Sequence, residues 1–397
     1  MNIEQLLKGI VVVIDDEIDK SDTNINKIVK QLDDNNYPIL KYKELDKIDT
    51  AKLGYISFLL LDWDLRESLI DESDKISGVK ITGTRDEYIV ENIEFIREII
   101  ASTFCPIFIF SNQDVNSIET KLVQEKIIHD NKPSRIFIKS KRDVENSGQL
   151  FAEIEAWLKS TPSMYVLKKW EIEYQNAINI FFNDFQNFSP FWPLILWECF
   201  KKDDVDPSLE LAELLTRNLH NRISSFQFCE EVFAKRDFEP KKEEIRAVLE
   251  GERFLDKSRL RIDDIGTGDL FKMSETDYLI NIRPQCDLLR KDEVMIYCVK
   301  GKLIPVENEN SNFFKKHGQF NELINQAIVP FIDNGKRIDF SFNEIKIMKF
   351  DEIKDNRIGR LLPPYITRIQ QRFALYLQRQ GLSRIPDEAF DWSQGRK

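Results

Sequence analysis

Four apolar runs in the first 140 residues each end on a polar residue that could do chemistry. The residues that close them are Asp15 with Asp16, then Asp62, Ser111 and Lys139. Three carboxylates repel one another unless a cation lies among them, and Mg2+ is typically held by one or two carboxylates with waters. One carboxylate could then act as a nucleophile toward a phosphoryl group, with the hydroxyl and the ammonium as donors to its oxygens. If these side chains meet, they predict a Mg2+-dependent phosphoryl-transfer site.

The apolar runs themselves indicate how the side chains could meet. Runs such as Phe58–Leu61 and Ile107–Phe110 are continuous and are separated by helix-sized stretches. That pattern is typical of strands in a parallel sheet buried on both faces. In such α/β sheets the functional crevice lies beyond the carboxyl ends of the strands. We therefore expect the polar residues to converge at one edge of the sheet.

Taken together, these residues give residues 8–160 a resemblance to the receiver domain of two-component response regulators. The resemblance implies a doubly wound, flavodoxin-like parallel sheet of strand order 2-1-3-4-5. It also implies Mg2+ as cofactor and a histidine kinase or phosphotransfer protein as phosphodonor. The implied roles are phospho-acceptor for Asp62, metal ligands for Asp15, Asp16, Asp62 and the backbone carbonyl of Asp64, moving hydroxyl for Ser111, and phosphoryl-binding ammonium for Lys139.

Several positions depart from the receiver pattern. Ser140 stands where a proline usually follows the lysine, and Asn112 replaces a smaller residue beside Ser111. Receivers usually have an aromatic residue three positions before the lysine, which moves inward on phosphorylation. Here Ile136 occupies that position, and the neighbouring Phe137 points to the opposite face of the strand. The surplus segment 66–85 is expected to form an extended loop beside the acceptor. An alternative is therefore a pseudo-receiver, a scaffold that binds protein partners without phosphorylation.

Length and composition indicate several domains. A chain of 397 residues with 42% hydrophobic residues is long enough for two or three cores. We expect a receiver domain over 1–160, a helical region over 161–255 and a small α+β domain over 256–397. The sequence contains no apolar stretch of membrane-spanning length and no signal peptide near Met1, which predicts a cytoplasmic protein without a membrane partner.

The net charge of −11 argues against an obligate DNA-binding protein, because phosphate neutralisation needs a basic surface. The five cysteines are widely spaced and form no C-x-x-C pair, so neither a disulfide framework nor a structural zinc site is expected. We interpret them as buried thiols. The output of the predicted receiver is therefore expected to be something other than a nucleic-acid-binding domain.

The helical region has two features with competing interpretations. Apolar spacing predicts long helices over 163–187 and 207–235, joined through the aromatic segment 190–200. They could pack within the chain or form a homodimer through 163–235. His220, in the second helix, is a candidate phosphotransfer histidine, although a lone helical histidine is more often structural.

The carboxyl-terminal part predicts short strands over 269–273, 278–282 and 294–299 in a small sheet or barrel. A final helix from Pro363 to Gln380 would carry a basic ridge that docks either an anionic partner or acidic groups of the same protein. The ridge consists of Arg368, Arg372 and Arg379.

A third functional alternative places an unrecognised active site after residue 255, for which Cys286 with His317 is a candidate pair. Short stretches of sequence in this part are faintly similar to modules that accompany atypical receivers in bacterial anti-phage phosphorelays. The sequence as a whole therefore predicts a phosphorelay signalling protein, with anti-phage defence as a candidate role.

Overall fold

The structure is a computed structural model that describes residues 6–45, 48–65, 85–130, 132–146, 148–203, 205–234, 239–288, 295–304, 322–380, 385–386 and 389. The chain divides into two compact units, residues 1–188 with 217–236, and residues 189–216 with 237–397. The predicted extended loop, 66–85, lies outside the described residues except for Arg85, which begins a helix, and His317 lies outside them as well. No helix in the described part of the chain combines the length and the apolar character needed to cross a membrane.

The first unit contains a five-stranded parallel sheet. Its strands are β1 (Ile10–Ile14), β2 (Ile39–Tyr42), β3 (Ile56–Asp62), β4 (Ile107–Ser111) and β5 (Ile136–Ser140). The strand order is β2-β1-β3-β4-β5, and each neighbouring pair is parallel. This order confirms the predicted α/β fold and its strand order. Strands β1, β3 and β4 form from the continuous apolar runs that suggested them.

Helices cover both faces of this sheet. They are α1 (Asn24–Asp34), α2 (Arg85–Ser102), α3 (Val115–Gln124), α4 (Lys141–Val144) and α5 (Gln149–Ser160). Alternate residues of β1 enter opposite cores: Val11 and Val13 pack with residues of α1 and α5, whereas Val12 and Ile14 pack with residues of α2 and α3. The two cores hold the sheet rigidly between layers, which fixes where the strand ends lie.

A helical stretch follows the sheet along the chain. Its helices are α6 (Pro162–Phe188), α7 (Trp192–Lys202), α8 (Pro207–Arg222), α9 (Glu230–Phe233) and α10 (Lys242–Arg253). The first predicted helix matches α6, but the second was predicted too long, since α8 ends at Arg222. Beyond it, Phe226 and Phe228 form part of an aromatic group with Tyr165 and Phe233. This packing, together with the paired serines at 224 and 225, opposes a continuous helix.

The second unit contains a seven-stranded sheet with antiparallel pairing. Its strands are β6 (Phe254–Asp256), β7 (Asp269–Lys272), β8 (Asp277–Asn281), β9 (Met295–Leu303), β10 (Gln326–Ile332), β11 (Lys336–Lys349) and β12 (Arg357–Leu361). The order is β10-β11-β9-β8-β7-β12-β6. The three predicted strands correspond to β7, β8 and β9, so the sheet is larger than the small sheet expected.

Short helices accompany this second sheet, namely α11 (Gln285–Leu288), α12 (Phe350–Ile353) and α13 (Tyr365–Gln378). The last of these corresponds to the predicted carboxyl-terminal helix. Its Ile366 and Ile369 are buried in the core that the sheet forms with Tyr278 and Phe340. The second unit is thus a sheet packed against a helix, as an α+β domain should be.

Candidate functional site

The acidic residues meet at the carboxyl ends of β1 and β3. Asp15 follows β1 and Asp62 is the last residue of β3, and the two strands are direct neighbours in the sheet. Carboxylate oxygens of Asp15, Asp16 and Asp62 all lie within 4.8 Å of one another. Asp15 and Asp62 are buried, whereas Asp16 is half-buried. This cluster could hold a metal ion, as predicted, although nothing in the geometry selects Mg2+ among divalent cations.

A buried lysine completes the cluster, but it is Lys141 and not the predicted Lys139. The Lys141 Nζ lies 2.7 Å from Asp15 Oδ2 and 2.8 Å from Asp62 Oδ2. Its side chain is only 2% exposed. The Lys139 ammonium instead pairs with Glu153 of α5, at 2.9 Å. The ammonium expected from Lys139 at the acidic cluster is therefore supplied two residues later.

The local backbone explains this correction. Lys139 lies within β5 and shares a strand face with Phe137, whose ring is 5.9 Å from the lysine Nζ. Ser140 ends the strand and caps α4 by accepting a hydrogen bond from the Arg142 N–H. Lys141 is therefore the first residue of α4, where its side chain reaches the strand ends. The Ser140 cap was a visible signal in the sequence that could have identified Lys141.

Burial and charge set the protonation of the cluster. Burial raises the pKa of Asp62 well above its ordinary value of 3.8, Lys141 opposes that rise, and Asp15 adds to it. Burial also raises the pKa of Asp15, against the lowering effect of Lys141. Although burial alone would lower the pKa of Lys141, the two carboxylates raise it above its ordinary value, so this lysine stays an ammonium. The Lys141 ammonium thus bridges the two buried carboxyl groups.

The structure gives the Asp64 side chain a contact that sequence reasoning missed. Its carboxylate accepts a hydrogen bond from the Ser111 hydroxyl at 2.6 Å and from the Asn112 N–H at 3.3 Å. The Gln113 side-chain amide donates to the same carboxylate. The Asp64 N–H in turn donates to Asp62 Oδ1 at 3.1 Å. Ser111 is therefore brought to the site edge, but its hydroxyl is bonded to Asp64.

Another buried residue fixes the backbone that follows Asp62. Asn92 of α2 is 1% exposed and donates a hydrogen bond from Nδ2 to the Trp63 carbonyl at 2.8 Å. On the other strand, the Glu17 N–H donates to Asp15 Oδ1 at 2.8 Å. These bonds hold two of the three carboxylates in place. Asn92 was not singled out from the sequence, because nothing local to it points to the loop after β3.

Two other predicted chemical residues are not members of this cluster. His220 is exposed in the last turn of α8, as a phosphotransfer histidine would need to be. Cys286 is exposed, with its Sγ 3.8 Å from Asp287 Oδ1. The expectation of buried thiols holds for Cys105 and Cys298 but not for Cys199 or Cys286, which are exposed.

The predicted basic ridge on α13 is largely engaged within the chain. Arg368 forms an ion pair with Glu322, and Arg372 Nη1 lies 3.4 Å from the same carboxylate. Arg372 also donates to the Leu323 carbonyl at 2.7 Å, while the Arg379 guanidinium lies 4.4 Å from the Tyr376 ring centroid. Of the two interpretations left open, the structure favours pairing with acidic groups of the same protein.

A second buried charge cluster lies in the antiparallel sheet. Asp269 is fully buried and accepts hydrogen bonds from Arg357 at 3.2 Å and from Arg360 at 2.6 Å. It also accepts one from the Gly266 N–H at 2.9 Å. Arg357 donates further to the Arg261, Ile262 and Asp264 carbonyls. The segment 266–269 closes this charge cluster, because it carries both Asp269 and the N–H of Gly266.

Comparisons of the chain with family models, curated proteins and solved structures found no match. The fold and the acidic cluster are compatible with a receiver, and this compatibility comes from the geometry alone.

Proposed function

We propose that residues 8–160 form a receiver-type domain that accepts a phosphoryl group on Asp62, with Mg2+ held by Asp15 and Asp16, in a phosphorelay signalling protein. The observation that carries this proposal is the meeting of three carboxylates within 4.8 Å at the ends of neighbouring parallel strands. Those ends are where open α/β sheets bind ligands. The buried Lys141 ammonium on Asp62 provides a further phosphoryl-binding group.

The donor set fits a hard divalent cation. All three side chains offer carboxylate oxygens, which are the ligands that hard divalent cations prefer. The backbone carbonyl of Asp64, two residues beyond Asp62, is the further ligand that the receiver resemblance implies. When bound, Mg2+ would offset the negative charge of the carboxylates and of the incoming phosphoryl oxygens.

In the proposed reaction an Asp62 carboxylate oxygen attacks the phosphorus of a phosphohistidine. A P–O bond forms to give an acyl phosphate, the P–N bond breaks, and the donor imidazole leaves with the electron pair and takes up a proton. Lys141 then donates a hydrogen bond to a phosphoryl oxygen, since its ammonium already contacts Asp62 at 2.8 Å. Asp15 remains as the anchor of that ammonium, at 2.7 Å.

The phosphodonor in this proposal is a histidine kinase or a phosphotransfer protein. His220 is a candidate second phosphoryl carrier because it is exposed on a helix. Anti-phage defence stays a candidate setting and rests on faint sequence similarity alone.

A homodimer through 163–235 is part of the proposal. Helix α7 buries none of its residues, and several large apolar side chains of this stretch are exposed, namely Phe188, Phe191, Leu194 and Ile195. Exposed apolar surface of this kind often marks an interface. Light scattering of wild type and Leu194→Asp tests this part: we expect a dimer and a monomer respectively, and a monomeric wild type contradicts it.

One observation favours a second candidate, the pseudo-receiver scaffold. Asp62 is only 4% exposed, and Lys141 bonds to both it and Asp15. In this candidate the ammonium stands permanently in place of the metal, and the sheet serves to present helices to partner proteins. Phosphorylation of the intact protein separates the two candidates.

The test is intact-mass spectrometry of the full chain after incubation with acetyl phosphate and Mg2+. We expect wild type to gain one phosphoryl group, and Asp62→Asn to gain none. Asp114→Asn is the matched control, because Asp114 is an exposed aspartate that only caps α3. A chelator that removes Mg2+ should prevent phosphorylation of wild type. Modification of Asp62→Asn, or an unmodified wild type with both small donors and a phosphohistidine donor, contradicts the proposal.

A further inference from the structure

Ser111 is held by a strong hydrogen bond that commits its proton to Asp64. Its hydroxyl is fully buried and donates to Asp64 Oδ2 at 2.6 Å. That distance is typical of a charge-assisted O–H···O⁻ bond, which is stronger than a bond between neutral groups. The Ser111 oxygen also accepts the Gln113 N–H at 2.9 Å. The hydroxyl is therefore oriented by one donor and one acceptor.

A serine hydroxyl has a single proton to donate. While that proton bonds to Asp64, it is not available to a phosphoryl group on Asp62. The Asp64 carboxylate is itself fixed, because Asn112 and Gln113 donate to it as well. Asp64 thus holds the residues that follow β4 through bonds to three consecutive residues.

Asp64 also contacts the acceptor Asp62 directly. Its N–H donates to Asp62 Oδ1 at 3.1 Å. A phosphoryl group on Asp62 reduces the charge on that carboxyl group and weakens this bond. The same phosphoryl group introduces new anionic oxygens that compete for the Ser111 proton. Both effects therefore link phosphorylation of Asp62 to the hydrogen bonds that Asp64 makes.

We infer that Asp64 is a positioning residue that holds Ser111 away from the unphosphorylated acceptor, so that breaking the Asp64–Ser111 hydrogen bond is a step of the switch. This inference rests on the proposed function of Asp62. It assigns the Asp64 side chain a role distinct from that of its backbone carbonyl. The Asp64–Ser111 hydrogen bond must break before Ser111 can reach the phosphoryl group. The free energy of that one charge-assisted bond therefore opposes phosphorylation.

The test is binding of beryllofluoride, a mimic of the phosphoryl group, to the full chain in saturating Mg2+. We expect Asp64→Ala to bind it about tenfold more tightly than wild type, the lower range for one charge-assisted hydrogen bond. Asp64→Asn keeps one acceptor oxygen and should fall between the two. Asp114→Ala, which removes a nearby carboxylate without touching Ser111, should bind like wild type. Mg2+ affinity is measured separately for each variant.

The decisive comparison uses Ser111→Ala as a second background. If Asp64 acts through Ser111, the gain from Asp64→Ala disappears when Ser111 is already alanine. If Asp64 only repels the anion, the gain persists there, Asp64→Asn gains as much as Asp64→Ala, and the inference is overturned. Equal binding by wild type and Asp64→Ala also overturns it. Failure of every variant to bind beryllofluoride contradicts the proposed function and, with it, this switch.

Discussion

The two sheets each bury a cluster of charged side chains, and the clusters differ in how their charges are balanced. In the parallel sheet, the Lys141 ammonium contacts Asp15 and Asp62, and Asp16 adds a third carboxylate nearby. The cluster lies at strand ends, beside the solvent-accessible edge where Asp16 is half-buried. Carboxylate oxygens of three side chains meet there.

In the antiparallel sheet the charges are matched. Asp269 is met by two guanidinium groups, from Arg357 and Arg360, and Arg360 also pairs with the Asp264 carboxylate at 3.5 Å. The N–H groups of Arg357 that do not reach Asp269 donate to backbone carbonyls such as that of Ile262, at 3.0 Å. A buried ion cluster whose hydrogen bonds are satisfied in this way is typical of a structural role.

The difference teaches how to separate a structural buried charge from a functional one. Both clusters contain aspartates that are almost fully buried, so burial alone does not distinguish them. The carboxylate oxygens of Asp15, Asp16 and Asp62 lie close enough together to hold an added cation, whereas the Asp269 carboxylate is already paired with two guanidinium groups. A strongly raised pKa accompanies the first case, at Asp62.

The largest expected effect comes from breaking the balanced cluster. Arg357→Met should leave the Asp269 carboxylate buried with one partner and destabilise the second unit by about 3 to 5 kcal/mol. Hydrogen exchange of peptides from β7 and β12, read by mass spectrometry, should show faster exchange. Lys354→Ala, which removes a partly exposed ion pair with Asp351, is the control and should change stability by less than about 1 kcal/mol. Equal exchange in both variants would refute the structural role.

A smaller, pH-dependent effect is expected from Lys141→Met. We expect the unfolding free energy to fall by roughly 2 to 3 kcal/mol near neutral pH. The loss is smaller than for Arg357→Met because the carboxyl groups can take up a proton or a cation instead of remaining unpaired. The Asp62 pKa is raised above 3.8, so the folded state binds more protons than the unfolded state at pH values between 3.8 and the raised pKa. Stability therefore falls as pH rises through that window.

Lys141 opposes the rise in the pKa of Asp62, so its removal raises this pKa further. Lys141→Met should therefore lose stability more steeply with rising pH than wild type, and added Mg2+ should restore more of it. Thermal denaturation at several pH values, with and without Mg2+, measures both. A loss independent of pH and Mg2+ would mean that the lysine contributes packing alone.

Asp16→Asn should affect cation binding more than stability. Asp16 is half-buried, so its loss should change the unfolding free energy by about 1 kcal/mol at most. Mg2+ affinity should fall about tenfold, since one of three carboxylates is lost. Titration calorimetry measures this, with Asp264→Asn in the other cluster as the control that leaves affinity unchanged. An unaltered affinity in Asp16→Asn would place the cation elsewhere.

The smallest effect is expected from Lys139→Ala. Lys139 pairs with Glu153, and both side chains are about one-third exposed. Such pairs contribute roughly 0 to 1 kcal/mol. Phosphorylation of Asp62 should be unchanged, as read by intact mass. Loss of phosphorylation in Lys139→Ala would restore Lys139 to the role first predicted for it.

Much of the first unit could be predicted because its signals are local. The runs that form β1, β3 and β4 are continuous and apolar, and each ends on the polar residue that reaches the site. The choice between Lys139 and Lys141 depends on where β5 ends and α4 begins, which the sequence specifies only through the Ser140 cap. The direction of the Asp64 side chain depends on loop conformation and has no sequence signal.

The second unit was less predictable because its contacts are distant in sequence. Asp269 meets Arg357 and Arg360, 88 and 91 positions later, and no spacing rule anticipates that pairing. The strand β11 (Lys336–Lys349) is buried along its first half and mostly exposed along its second. It therefore lacks a uniform pattern of alternation by which it could have been recognised.

The measurement that tests the central claim most directly is an anomalous difference map from crystals of the full chain soaked in Mn2+. The meeting of three carboxylates predicts one peak within coordination distance of Asp15, Asp16 and Asp62, and none at Asp269. The peak should disappear in Asp16→Asn crystals soaked at low Mn2+ concentration. A map without a peak at the acidic cluster, or with one at Asp269, would contradict the account.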